Sequence, residues 1–126
     1  MTNKTILTLI GTVLGVQSIA VFVGAEAITT QAFAALSPDA TGIQIGSMLH
    51  EVVAVVNMMV AIILLSARNL EQAAASKILM GTAIGLLVML SHGYYNLFAT
   101  QVKPPLPLLI VMTILMGLAF ASARRK

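Results

Sequence analysis

His50 and Glu51 sit side by side near the start of an otherwise apolar stretch, SMLHEVVAVVNMMVAIILLSAR, residues 47–68. A second imidazole, His92, stands late in another apolar run, followed by Tyr94, Tyr95 and Asn96. Glu26 closes the first run. An ionisable side chain at the centre of a bilayer costs about 2.5–3.5 kcal/mol, so such groups mark candidate functional sites. Imidazole titrates near neutral pH, and a neighbouring carboxylate alters that titration. Together they could take protons, or orient a small polar or quinone-like ligand against the tyrosines. The candidate ligand-binding set is Glu26, His50, Glu51, His92, Tyr95 and Asn96.

The same residues admit a second chemistry. Two imidazoles on facing helices with small neighbours could ligate haem b, and His50 with His92 and Glu26 or Glu51 could hold a metal ion. Adjacent residues on a helix point about 100° apart, so His50 and Glu51 do not form the Glu-x-x-His motif of di-iron bundles. The chain has no cysteine, which excludes disulfides, thiolate metal sites and covalent c-type haem. No nucleotide loop or nucleophile–base pair is present. The competing reading is structural: His50 and His92 hydrogen-bond across helices and hold the chain together, with the tyrosines as interfacial anchors. Glu51 equally suits the headgroup region.

The elements that would carry these residues are transmembrane helices. The 126 residues are 59% hydrophobic and 9% charged, with a mean hydropathy of +1.00, whereas a soluble domain carries about 25% charged residues. Four apolar runs of roughly the 20 residues a span needs use up most of the chain. They predict helices over about 5–29, 43–65, 70–99 and 105–122, in one integral membrane domain covering 1–126. The fold class is therefore all-α, a polytopic four-helix membrane bundle. Lys4 and an AEA at 25–27 imitate a signal peptide, but the apolar stretch exceeds the usual 7–15 residues and reads as a retained first helix.

Charge sets the expected topology. Lys4, Arg68, Lys77, Arg124, Arg125 and Lys126 fall at one end of the helices and Lys103 alone at the other. The positive-inside rule then puts both termini in the cytoplasm of a plasma (inner) membrane. The basic balance, with a pI near 9.7, speaks for anionic lipid and not for nucleic acid.

Local signals punctuate the helices. Ser37-Pro38-Asp39 is a turn or cap signal with proline suited to a first helical position. Asn69 and Gln72 have the spacing of a capping box, and KPPLP at 103–107 breaks the chain before the last helix.

A faint repeat links the halves: GTVLG at 11–15 and GTAIG at 81–85, SAR at 66–68 and at 122–124. It predicts two hairpins related by an axis normal to the membrane. Helical steps place Gly11, Gly15, Ser18, Phe22 and Glu26 on one face, and Gly81, Gly85, Val88, His92 and Asn96 on another. A third face holds Gly46, His50, Ala54, Asn57 and Ala61. Gly11, Gly15, Gly81, Gly85 and Asn57 are expected to pack helices together, and the three faces to meet. At about 1.5 Å per residue, both histidines rise roughly 21–23 Å from the basic end. That gathers the polar groups into one cluster in the outer third of the bilayer. The methionines after Met1 read as packing filler.

The function this implies is that of a small non-enzymatic membrane protein, either an accessory subunit or a small-ligand or proton-responsive binding bundle with a polar His/Glu pocket in the outer leaflet. Its expected partners are the lipid bilayer and either further copies of itself or a larger membrane complex.

Overall fold

The computed structural model describes residues 2–124; Met1, and Arg125 and Lys126 of the basic tail, lie outside the described residues. Five α-helices follow in order: α1 Asn3–Val23, α2 Ala25–Ala32, α3 Ala40–Ser66, α4 Gln72–Ala99 and α5 Leu106–Ala123, with short 3-10 turns at Ala34–Leu36 and Ala67–Asn69. Four of the helical stretches are long and apolar enough to cross a membrane.

The first predicted helix is in fact two. At Gly24 the backbone leaves helical geometry (φ −94°, ψ 11°). The ladder nevertheless continues, since Gly24 N donates to Ala20 O and Ile28 N to Gly24 O, both at 2.9 Å. A glycine inside a long helix is a usual place for such a bend. The bend carries α2 against the start of α3.

Asp39, not Pro38, begins α3. Its carboxylate accepts from Gly42 N at 2.7 Å, an N-cap that satisfies one of the helix's orphan donors. Ser37 before it takes the left-handed conformation (φ 46°) that turns the chain. The capping box expected at Asn69 and Gln72 is not formed. Glu71 is the N-cap of α4 and makes no side-chain cap bond. Pro105 and Pro107 open α5, where a missing N–H costs nothing.

α1 is the hub. It lies antiparallel along α3, α4 and α5 form a second antiparallel pair, and α1 also touches both members of that pair. α3 has no extended interface with α4 or α5. Ile6, Leu7, Ile10 and Leu14 of α1 are buried against Leu64 of α3, Leu79 and Leu86 of α4, and Met112 and Leu115 of α5.

Polar clasps tie the two ends. At the basic end, the Asn3 amide donates to Ser76 Oγ at 2.9 Å, and the buried Ser122 Oγ donates to Asn3 Oδ1 at 2.8 Å. One side chain thus joins the starts of α1 and α4 to the end of α5. At the opposite end Lys103 N donates to Ala32 O at 2.9 Å, fastening the α4–α5 connection to α2. The Lys103 ammonium donates to Leu97 O and Thr100 O at 2.7 and 2.9 Å. It caps the carbonyl end of α4, where a cation also complements the helix dipole.

Candidate functional site

The polar residues near the end opposite the basic cluster fall into three separate places. The first lies between α2 and α3. Ala25, Thr29 and Ala32 form the buried stripe of α2, and Gly46 gives it room: a Cβ there would collide with Thr29 Cγ2. His50, one turn past Gly46, places Nδ1 2.9 Å from Gly46 O and 3.0 Å from Thr29 Oγ1.

This geometry assigns the proton. Thr29 donates its own hydroxyl hydrogen to Ala25 O at 2.8 Å, and Gly46 O can only accept. Nδ1–H of His50 therefore donates to both oxygens. In the neutral ring Nε2 is then the bare nitrogen, and it makes no hydrogen bond among the described residues.

The second place is on α4. His92 is exposed, and Asn96 Nδ2 donates to its Nε2 at 3.0 Å, a bond within one helix. Asn96 is further engaged by Thr100, whose hydroxyl donates to Asn96 O at 2.9 Å. Tyr95 is 62% exposed. Tyr94 instead turns inward, sharing a 2.9 Å hydrogen bond with Thr113 of α5 and stacking on Phe98.

The third place is marked by Glu51, and Glu26 is not part of it. Glu26 is exposed on α2. Glu51, half-buried, lines a shallow groove of about 300 Å³ with Phe22, Met48, Val52, Val55 and Val56.

His50 and His92 thus sit on helices that share no extended interface, and each is engaged elsewhere. Among the described residues no three His, Asp or Glu side chains come together as a metal site. The haem or metal alternative based on His50 and His92 finds no ligand set here.

The packing glycines divide in the same way. A Cβ on Gly11 would lie 2.8 Å from Leu65 Cγ and 3.1 Å from Ala61 O, and one on Gly15 would touch Ala61 at 3.7 Å. Gly11 and Gly15 of α1 therefore lie against Ala61 and Leu65 of α3. The α4 glycines make no such contact. Gly81 and Gly85 have no atom within 4 Å of the Cβ they lack. The buried stripe of α4 is instead Ala75, Leu79, Ala83, Leu86 and Leu90, which at 3.6 residues per turn lies roughly 120–160° round the helix from those glycines.

Gly81 and Gly85 line a cleft of about 360 Å³ between α3 and α4, with Leu14, Asn57, Val60, Thr82, Leu86 and Met89. Asn57, half-buried there, was expected to bond across helices. Among the described residues its amide makes no hydrogen bond. The Thr82 hydroxyl beside it is already used, donating to Ile78 O at 2.9 Å. A second amide shares this condition: the Oε1 of Gln17 on α1 is buried with no partner.

Sequence reasoning missed Thr29, the Asn3–Ser76–Ser122 clasp, and Gly93, where a Cβ would come 2.6 Å from Leu109 Cδ2. For Thr29 a signal existed, since Ala25, Thr29 and Ala32 are small residues at helical spacing. Comparison with known protein families, curated proteins and solved structures finds no match for the chain.

Proposed function

We propose that the protein is a non-enzymatic integral membrane protein, an accessory subunit that works by associating with other chains inside the bilayer. Its four long helices cross the membrane, and the end bearing Lys4, Arg68, Lys77 and Arg124 faces the cytoplasm. The observation that carries the reading is Asn57. Nearer the helix ends, His50 with Thr29, Tyr94 with Thr113 and Asn3 with Ser76 hydrogen-bond within the chain. Asn57, deep in an apolar helix and beside two open glycines, does not. Hydrocarbon offers an amide no partner, and interhelical bonding by Asn is a recurring glue between membrane helices.

A photocrosslinking residue at position 57, compared with one at the lipid-facing Ile62, tests this in native membranes. Crosslinks to a defined polypeptide at 57 and to lipid at 62 are the expected result. Lipid adducts alone at both positions would overturn the association reading.

The uncommitted Nε2 of His50 supports a second reading, in which the same bundle takes a small hydrogen-bond donor at the α2–α3 junction. Histidine NMR of the protein in micelles, with and without small alcohols, phenols and quinols, tests it. Shifts at His50 and not at His92 are expected, and no shift at either would remove it.

A further inference from the structure

We infer that the partner at the α3–α4 cleft is a second copy of this chain, packed about a two-fold axis that brings the two Asn57 amides together. The inference rests on the association reading above and names the partner it leaves open.

Self-complementarity is the first argument. A carboxamide is both donor and acceptor, so two Asn57 side chains facing each other across a two-fold axis satisfy one another. A closed, isologous interface needs a patch that matches itself. The cleft meets that condition through Asn57, the one side chain in its lining whose hydrogen-bonding groups are all unused; the other polar group there, the Thr82 hydroxyl, donates to Ile78 O. A partner carrying only donors or only acceptors would leave half of the amide unmet.

Shape is the second argument. Gly81 and Gly85 are one turn apart and border the cleft with nothing in front of them. Paired small residues of this kind let a foreign helix backbone approach closely. On the other wall Val60 lines the cleft beside Asn57, and Val53, one turn before Asn57, lies on the same side of α3. Val53 is 51% exposed. The wall facing the glycines is thus the Asn57 amide with the β-branched Val60 beside it.

Area is the third argument. The chain exposes 7576 Å², whereas a compact monomer of its mass exposes roughly 6,400 Å². The excess, about 1,200 Å², is larger than the ~800 Å² that each partner contributes to a standard stable interface. α3 is the least buried of the four long helices. Only 17% of its apolar window is buried, against 39% for α1.

The test is fluorescence energy transfer between two labelled populations of the full chain in liposomes, followed as lipid dilutes the protein. Wild type is compared with Asn57→Val and Gly85→Leu, and each variant's melting in mild detergent is recorded. Because nothing in the chain occupies the space before Gly85, leucine there blocks the cleft without disturbing the fold. We expect a saturable, two-copy transfer signal for wild type. Asn57→Val should weaken association roughly 3- to 30-fold, Gly85→Leu should abolish it, and both should melt as wild type does.

A wild type that stays monomeric at all dilutions overturns the second-copy inference. So does a dimer that both folded variants leave intact. A monomer that still crosslinks from position 57 to another polypeptide in native membranes would leave the association reading standing while this one falls. A monomer whose position 57 meets only lipid would remove both.

Discussion

GTVLG at 11–15 and GTAIG at 81–85 share a pattern and have opposite surroundings. The first pair is closed: Gly11 lies hard against Leu65 and Ala61, and this contact locks α1 to α3. The second is open, with its helix turned so that the leucines face the core and the glycines border a cleft. The histidines repeat the contrast. His50 joins two helices through Thr29, and His92 bonds only to its own. A spacing motif defines a face of a helix, but the neighbour that face meets is decided by the packing of the whole bundle.

Breaking the closed pair should have the largest effect. Gly11→Leu forces a side chain into occupied space and should cost at least about 2 kcal/mol, read as a lower melting temperature in detergent. Gly81→Leu should stay within about 0.5 kcal/mol of wild type. Equal losses at the two positions would erase the distinction between the pairs.

The histidines come next. His50→Ala removes the donor shared by Thr29 and Gly46 and should cost about 1–3 kcal/mol. His92→Ala should change stability by no more than about 0.5 kcal/mol. Matching melting curves for the two variants would place His50 outside the structural framework.

Smaller effects sharpen the picture at the ends and the middle of the helices. Asn3→Ala should lower stability by about 1 kcal/mol, because it releases Ser76 and Ser122 together. Gln17→Leu should act in the opposite direction and raise stability by about 1 kcal/mol, since it removes a buried oxygen without a partner. A destabilised Gln17→Leu would mean that the amide is satisfied by a group outside the chain.

The four long helices were legible because apolar length is a local property. The apolar runs marked the four long helices to within a few residues at most ends, and KPPLP marked the break before α5. The bend at Gly24 was not visible, since a glycine in an apolar run is compatible with a straight helix. The Gly11 and Gly15 contacts with α3 were legible, because small residues at matching heights on sequential antiparallel helices have few other places to go. The proposed single polar cluster was not found as one place. Height along the membrane can be counted in residues, but the rotation of α4 depends on where Leu79, Leu86 and Leu90 find space against α1 and α5. Long-range clasps such as Asn3 with Ser76 and Ser122 leave no spacing signal at all.

The measurement closest to the central claim uses the absence of cysteine from the chain. Single cysteines at Val53 and Ile62 have similar exposure, 51% and 56%, but Val53 shares the face of Asn57 and Ile62 lies on the far side of α3. Oxidation of each variant in liposomes should give a disulfide-linked dimer from Val53→Cys and little from Ile62→Cys. Equal yields at the two positions, or none at Val53→Cys, would contradict an α3–α4 cleft that receives a second copy.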